Sequence, residues 1–490
     1  MSGARRQLII ATAVGLLGGC AVGPDFQAPA APTTERYTAQ ALPASTAASG
    51  ADNGPEQRLV EGRDIPAEWW ALFRSDGIDA LMRQALAANP DLQAADAALR
   101  AARENVLAQQ GAYFPSVSAD YNATRQGVAD PIASPLSSGA ATYTLHTAQL
   151  TVGFVPDVFG GNRRQVESLQ AQADAQRYQL EAARLTLASN VVVAAVQHAS
   201  TRAQIEATRE LIDLASRQLT LLQRQQTAGQ IGSADVAAQE AALAQAQATL
   251  PPLEKQLAQL GNQLAVLTGS LPSDTVLPDF KLEQLQLPEE LPLSLPSKLV
   301  EQRPDIRAAE AQLHAASAQV GVAVANRLPS FNLSAGVGSS ALKFSQLFSA
   351  GTGFWSLGAD VTQTVFDAGT LMHRQRAAQA GYDQAAALYR STVLTAFQNV
   401  ADTLNAIQSD ARALEAAVVA ERAAQRSLAI ARRQHAAGSA GVLVELNAEQ
   451  TLRQAMLGRI QAQANRLADS AALFQALGGG WWNRSEGAAP

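Results

Sequence analysis

The fold is decided by residues 162–269, where the break AGQIGS (228–233) separates two helical runs. Apolar residues spaced three and four apart predict one very long helix before this break and a second helix after it, over residues 233–268. Four landmarks return 209 positions later (399 minus 190), namely Asn190, Gly229, Leu243 and Gly269 as Asn399, Gly438, Leu452 and Gly478. A constant offset without gaps indicates an internal duplication.

The composition favours long, closely packed helices. Of 490 residues, 47% are hydrophobic but only 5% are aromatic and 16% are charged. Apolar content of this kind comes from small and medium side chains rather than from a thick core. The formal charge of −6 provides no basic surface, which argues against nucleic acid as a partner. The single cysteine excludes a disulfide within the chain.

The amino terminus has the layout of a secretory signal peptide over residues 1–19. Arg5 and Arg6 precede an apolar run at residues 8–17, and small residues precede Cys20. The stretch LGGC (17–20) resembles a bacterial lipobox, which implies lipidation of Cys20 and anchoring among outer membrane lipids; Ala21 in place of Asp favours the outer membrane by the same resemblance. The alternative is an ordinary signal peptide with a chance cysteine. Residues 20–60 then predict a lipidated, extended tether.

Each repeat also predicts a β-hairpin, at about residues 116–156 and 330–366. Val117, Ala119 and Tyr121 alternate with polar residues, and Phe331 and Leu333 do the same in the second copy. Strands of about ten residues that are apolar on one face are typical of transmembrane barrels, although a soluble hairpin produces the same pattern. No later segment has the roughly 20 apolar residues of a membrane helix, so strands must make any membrane crossing.

Four strands cannot close a membrane barrel, and an open edge in lipid leaves backbone groups unpaired. The chain is therefore expected to oligomerise. Two copies would supply eight strands around a filled interior, and three would supply twelve strands around a lumen.

The first repeat is assigned to residues 61–270 and the second to residues 297–478, joined by a Pro-rich connector at 271–296 and followed by a tail at 479–490. The long helices are predicted at about 161–228 and 369–436, with partners at about 233–268 and 441–477. Two adjacent apolar seams on the first long helix indicate neighbours on two sides, as in a wall, and an apolar seam of the second long helix keeps the matching phase. A periplasmic coiled-coil structural lipoprotein would explain one seam but not the strands.

The chain resembles the TolC-like outer membrane factors, specifically the NodT or OprM type of lipoprotein. The motifs that carry this resemblance are CAVGPDFQAP (20–29), VPDVFGGNRR (155–164), RPDI (303–306), LPS (328–330) and VFDAG (365–369). The resemblance implies a mostly α fold with a transmembrane β part, and a homotrimer whose twelve-stranded β-barrel continues into a periplasmic α-helical barrel. It also implies an exit duct for drugs or other small toxic compounds, which works with a periplasmic adaptor and an inner-membrane transporter of the RND type. A type I protein secretion conduit shares this architecture.

In such proteins the helix tips contact the adaptor and close the channel. The corresponding tip residues are Gly229, Gln230, Ile231, Gly232, Gly438, Ser439, Ala440 and Gly441. The gate residues expected from the resemblance are Leu443, Val444, Glu445, Asn447 and Asp235. Asn447 and Gln450 stand where the family often has aspartate and arginine, so the apolar constriction is expected without those charges. Glu445, Glu449 and Asp235 could instead make an acidic mouth that favours cations, or be solvated tip residues.

Catalysis has little support in the sequence. The five histidines show no metal-ligand spacing, the one thiol is the lipidation site, and no phosphate-binding loop is present. We therefore expect neither an enzyme nor a cofactor.

Overall fold

The structure is a computed structural model, and it describes residues 21–50, 54–129, 136, 139–278 and 280–484. Within these residues the helices are α1 (Asp76–Ala88), α2 (Pro90–Gln110), α3 (Gly161–Thr227), α4 (Ser233–Leu267), α5 (Pro296–Gln302), α6 (Pro304–Ala325), α7 (Thr370–Ala436) and α8 (Val442–Ala476). The strands are β1 (Arg58–Glu61), β2 (Ser116–Gly127), β3 (Thr142–Phe154), β4 (Glu290–Leu293), β5 (Ser330–Ala341) and β6 (Gly353–Thr362).

The duplicated helices have the same lengths and the same offset in both repeats. α3 and α7 each have 67 residues, α4 and α8 each have 35, and both pairs begin and end 209 positions apart. At 1.5 Å per residue, the long helices measure about 100 Å. The apolar seam of α7 is buried within the chain, with Leu404, Ile407 and Leu414 each at most 1% exposed. In the described residues, no helix is both long enough and apolar enough to cross a membrane.

The residue before each repeated Pro-Asp pair joins two helices of its repeat. Asn89 accepts the N–H of Leu92 at the start of α2, and its amide donates to the Leu267 carbonyl at the end of α4, at 3.0 Å. In the second repeat, Arg303 donates to the Ala476 carbonyl at the end of α8, at 2.9 Å. Terminal helix carbonyls need such partners when they are buried. The motif therefore fastens the start of one helix to the end of another.

Four strands form an antiparallel sheet in the order β2-β3-β5-β6. Both predicted hairpins are present, and β3 pairs with β5 to join the two repeats. The register aligns apolar residues across all four strands, because side chains alternate between faces. Two such rows are Val117, Val152, Ala335 and Leu357, and Ala119, Leu150, Val337 and Trp355. The sheet therefore has one apolar face and one polar face.

The predicted extended tether is wrong at its carboxyl end. Residues 21–44 contain no helix or strand, but Thr46, Ser49 and Gln57 are at most 5% exposed, and β1 pairs in parallel with β4 of the connector. Gln57 donates to the carbonyl of Pro288 and to the hydroxyl of Ser470. Polar groups of this segment are satisfied by the connector and α8, which composition alone does not reveal.

The described chain forms two compact units, and each combines parts of both repeats. The first comprises residues 21–29, 98–176 and 309–389, and contains the four-stranded sheet. The second comprises the remaining described residues, and its core includes Trp69, which stacks on Phe474 at 5.2 Å between ring centroids. The repeats are thus units of sequence, whereas the compact units arise from packing between them.

Residues 481–484 of the carboxyl-terminal tail contact other parts of the second compact unit. Trp481 donates to the Gln302 carbonyl at 2.7 Å, and Trp482 donates to Asp64 at 2.9 Å. Arg484 pairs with Glu181 at 2.9 Å. The rest of the predicted tail, residues 485–490, and the predicted signal peptide lie outside the described residues.

Candidate functional site at the helix tips

Both helix tips end in the same backbone hydrogen-bond pattern. At the first tip the N–H groups of Gly229 and Gln230 donate to the carbonyls of Gln226 and Gln225, at 2.8 and 2.9 Å. The second tip repeats this pattern at Gly438, with both distances 2.9 Å. The glycines have φ angles of +73° and +70°, as a Schellman helix end requires. No atom of the described residues lies within 4 Å of the position that a Cβ would occupy at either glycine, so both glycines are needed for the chain reversal itself.

The tip residues are mostly exposed. Ile231 and Ala440 are half-buried, and the exposed ones are Gly229, Gln230, Gly232, Gly438, Ser439 and Gly441. Asp235 is also exposed, and its carboxylate accepts the N–H of Gly232 at 3.3 Å. A carboxylate in this position stabilises the start of a helix. Asp235 therefore has a structural role in starting α4.

Four of the five expected gate residues, Leu443, Val444, Glu445 and Asn447, lie on the first turns of α8, whereas Asp235 lies on α4. Leu443 is half-buried, whereas Val444 is 47% exposed and Asn447 is exposed. Deeper in the same helix pair, Leu428, Ala431 and Ala448 form a buried cluster that Leu452 joins. The apolar packing of α7 against α8 thus extends to within a turn or two of Leu443.

Two glutamates of the predicted acidic mouth are each paired with an arginine. Glu445 pairs with Arg432 of α7 at 3.3 Å. Glu449 lies 3.8 Å from Arg453, four residues further along α8. Arg453 also pairs with Glu210, so one arginine faces two carboxylates, and the acidic mouth stays a prediction.

Arg453 also makes a contact that the sequence did not reveal. Its guanidinium lies 2.6 Å from the carboxylate of Glu210 on α3, so it joins the two long helix pairs. Gln204 and Gln461 form a second link between α3 and α8, at 3.1 Å. The spacing of Glu449 and Arg453 was visible in the sequence, but no local signal identifies Glu210 as a partner.

The first helix pair is held differently from the second. The amide of Gln239 donates to Gln218 at 3.0 Å and to the carbonyl of Ala215 at 3.1 Å. The residue equivalent to Gln239, 209 positions later, is Ala448 in the apolar cluster. The duplicated tips thus share a backbone but differ in the chemistry of their packing.

The residues after the predicted lipidation site pack within the first compact unit. Arg164, whose side chain is 6% exposed, pairs with Asp25 at 2.6 Å and donates to the Val22 carbonyl at 3.2 Å. Phe26 stacks on His314 with 4.4 Å between ring centroids. The contacts of Arg164 with Asp25 and Val22 join the CAVGPDFQAP and VPDVFGGNRR motifs. Cys20 itself lies outside the described residues.

Within the described residues, no group of three His, Cys, Asp or Glu side chains is placed to hold a metal ion. The candidate site therefore consists of helix ends, apolar side chains and ion pairs.

Comparison with known proteins agrees with this architecture. The outer membrane efflux protein family matches residues 81–270 and 295–479. The antibiotic efflux pump outer membrane protein ArpC of Pseudomonas putida is 30% identical over 487 residues, which cover 98% of this chain and 96% of ArpC. The pyoverdine export outer membrane protein OpmQ of Pseudomonas putida is 31% identical over 444 residues, covering 89% of this chain and 91% of OpmQ. The structure of the outer-membrane channel OprN superposes with a TM-score of 0.81 at 27% identity, covering 94% of this chain and all of OprN.

The chain belongs to the outer membrane efflux protein family. It has the predicted fold class, mostly α with a β part built from duplicated hairpins and long helices. Its location is the outer membrane, and its function is that of an efflux channel.

Proposed function

We propose that three copies of this chain assemble into one exit duct, in which twelve strands cross the outer membrane and the long helices enclose a tunnel. The supporting observation is the sheet itself. β2 and β6 are its edges, they run in opposite directions, and every residue of both is exposed in the single chain. The β6 edge of one copy can therefore pair antiparallel with the β2 edge of the next. Such pairing satisfies backbone groups that lipid cannot.

Exposed apolar side chains on the helices support the same assembly. Leu388, Leu394, Val419 and Ile430 of α7 are 47–63% exposed, although they lie on a helix whose other seam is buried. In a closed ring these side chains would pack against neighbouring copies. A structural coiled-coil rod would use such a seam but would leave the apolar sheet face without a purpose.

The duct works with a periplasmic adaptor and an inner-membrane transporter, and we assign the transporter to the RND type. The exposed tip residues 229–232 and 438–441 would contact the adaptor. Lipidation of Cys20 would anchor the chain in the inner leaflet, close to the docked residues 21–26. The duct carries small toxic compounds, since ArpC is named for antibiotic efflux and OpmQ for pyoverdine export. Transport of this kind involves no catalytic step and no cofactor.

The gate is assigned to Leu443, supported by Val444, Glu445 and Asn447, while Asp235 maintains the first tip. Leucines from three copies would meet at the axis and exclude water and ions. Leu443→Ser should therefore raise single-channel conductance in planar bilayers.

A matched control is Leu457→Ser. Leu457 is also half-buried and lies 14 residues further along α8, about four turns away on the same face. Conductance should stay near the native value in this variant. A Leu443→Ser protein that inserts normally and conducts like the native protein would rule out this gate.

Export itself is tested in cells. Deletion of the gene should lower the minimum inhibitory concentrations of small antibiotics several-fold, and expression in trans should restore them. Unchanged susceptibility together with loss of a secreted protein would instead support the type I secretion conduit.

A further inference from the structure

One loop folds back over the apolar face of the four-stranded sheet. This loop, residues 342–352, connects β5 to β6. The Phe344 ring lies edge-on to the rings of Tyr121 and His146, with centroid distances of 6.0 and 6.1 Å. Tyr121 and His146 are themselves hydrogen-bonded at 2.9 Å. Leu347 is 3% exposed, so the loop is fastened to the sheet.

The same loop leaves two large aromatic rings uncovered. Phe344 is 67% exposed and Phe348 is 82% exposed. Beneath Phe348 an open cleft of about 630 Å³ runs along the apolar face. Its apolar lining includes Ala119, Leu150, Val337 and Phe348. A cleft of this size and character fits an acyl chain.

Two cationic residues lie beyond one end of this cleft, because Arg125 and Lys343 each follow by four residues a residue that lines it, Tyr121 and Ser339. Arg125 continues the alternation of Tyr121 and Ala123, so it extends from the apolar face rather than the polar face. Lys343 directly precedes Phe344, and both cations are exposed. We call Arg125, Lys343, Phe344 and Phe348 the rim patch. Asp120 is also among the residues that line the cleft, but it alternates with Ala119 and Tyr121, and its carboxylate accepts a hydrogen bond from Ser118 on the polar face.

The rim patch lies at one boundary of the apolar face. Along β5, the apolar face runs from Phe331 to Ala341, which is paired with His146 of β3. This is five steps of two residues, or about 33 Å. A tilt of about 40° reduces this to roughly 25 Å, the height of a barrel's lipid-facing band. β2 follows α2 and β3 leads into α3, so the β5–β6 loop is at the strand ends remote from the helices. With the helices in the periplasm, the patch faces the outer leaflet.

We propose that the rim patch binds a phosphate-bearing glycolipid of the outer leaflet, the lipid A part of lipopolysaccharide. Arg125 and Lys343 bind its phosphate groups, and one acyl chain lies in the cleft beneath Phe348. Cations beside apolar surface at a headgroup boundary suit an anionic lipid, since the phosphate gains charged hydrogen bonds while its chain stays in apolar contact. The outer-leaflet position rests on the proposed membrane orientation of the channel.

Binding is tested with the full chain in nanodiscs of phosphatidylcholine. The probes are diphosphoryl lipid A, dephosphorylated lipid A and phosphatidylglycerol, and the readout is Kd by thermophoresis. Native protein should bind diphosphoryl lipid A at least tenfold more tightly than either other probe. R125Q/K343Q should weaken its binding roughly tenfold for each charge removed. F348S should weaken the binding of diphosphoryl and of dephosphorylated lipid A to the same extent.

The charge-keeping variant R125K/K343R is the control, and its Kd should stay within about threefold of the native value. Each sample is also recorded in planar bilayers, which tests the channel separately. If all variants insert and conduct but bind lipid A equally well, the proposed binding of lipid A by the rim patch is wrong. Phosphatidylglycerol binding as tight as that of diphosphoryl lipid A would overturn the assignment of a glycolipid as the ligand. Samples that bind lipid A as expected but never conduct would contradict the proposed function alone.

Discussion

Two glycines with nearly identical backbones have very different surroundings. Gly229 and Gly269 have φ angles of +73° and +71°, and both end long helices. A Cβ on Gly229 would meet no atom within 4 Å, whereas one on Gly269 would lie 2.3 Å from the carbonyl oxygen of Ala88. The first glycine serves conformation alone, and the second also permits close packing.

We expect Gly269→Ala to destabilise the protein clearly more than Gly229→Ala. The left-handed conformation costs alanine about 1 kcal/mol at either position. The backbone clash at Gly269 should add roughly 1–3 kcal/mol. The measurement is the apparent midpoint of thermal unfolding by tryptophan fluorescence. Equal losses for the two variants would contradict the close approach to Ala88.

Asp469 on α8 titrates abnormally because it is half-buried next to another carboxylate. Burial and the nearby Asp410 of α7 raise the pKa of Asp469 to about 7. In the unfolded chain the group ionises near its usual value of about 3.9. The folded state therefore loses stability as the pH rises from about 4 to about 7.

We expect Asp469→Asn to remove much of this pH dependence. The unfolding midpoint temperature of the native protein should decrease as the pH is raised from 5 to 8. That of the variant should remain nearly constant. Asp402→Asn is the control, because Asp402 is exposed on the same helix as Asp410. A native midpoint that does not change over this pH range would argue against the carboxylate pair.

At the scale of elements, two ion pairs have similar geometry but join different helices. Arg453 to Glu210 measures 2.6 Å and connects α8 with α3. Arg209 to Glu254 measures 2.9 Å and connects α3 with α4, within one helix pair. If the gate opens by separation of the two helix pairs, only the first link opposes opening.

Arg453→Gln should therefore favour the open channel, and Arg209→Gln should not. A partly exposed pair contributes about 0.5–1 kcal/mol, which corresponds to a roughly two- to five-fold higher open probability. Single-channel recording at fixed voltage provides the measurement. Equal open probabilities in the two variants would show that separation of the pairs is not the opening motion.

The helices and strands themselves were predicted accurately because their signals are local. The long helix expected at about 161–228 spans Gly161–Thr227, and both tips stop at the predicted glycines. Helix period, strand alternation and the conformational demand at a glycine all act within a few residues. The duplication strengthened each prediction, since the same pattern occurs twice.

At the scale of the whole molecule, the two sheet edges provide a test of the number of copies. Residues on β2 and β6 are separated by three strand spacings within a chain, or about 14 Å. A disulfide between them must therefore join two copies, because its Cα atoms lie within about 7 Å.

We expect cysteines on the two edges to crosslink the chain into trimers and no further. Because barrels stagger their strands, Ser356→Cys is combined in turn with Ser116→Cys, Ser118→Cys or Asn122→Cys. At least one pair should produce a ladder of monomer, dimer and trimer on a non-reducing gel. Each single variant is the control. A ladder that stops at dimer would favour the eight-stranded alternative.

The sequence alone determined the duplication, the helices, the hairpins, the tip glycines and the family resemblance, since all of these depend on local patterns or on a constant offset. Only the tertiary structure decided which distant groups meet. Glu210 pairs with Arg453 across 243 residues of chain, and Asp25 pairs with Arg164 across 139 residues. In the same way β3 pairs with β5. The tertiary structure also paired Glu445 and Glu449, which the sequence suggested as part of an acidic mouth, with Arg432 and Arg453. The physical reason is that charge pairing and strand order depend on packing between distant segments, whereas periodicity is contained in each segment.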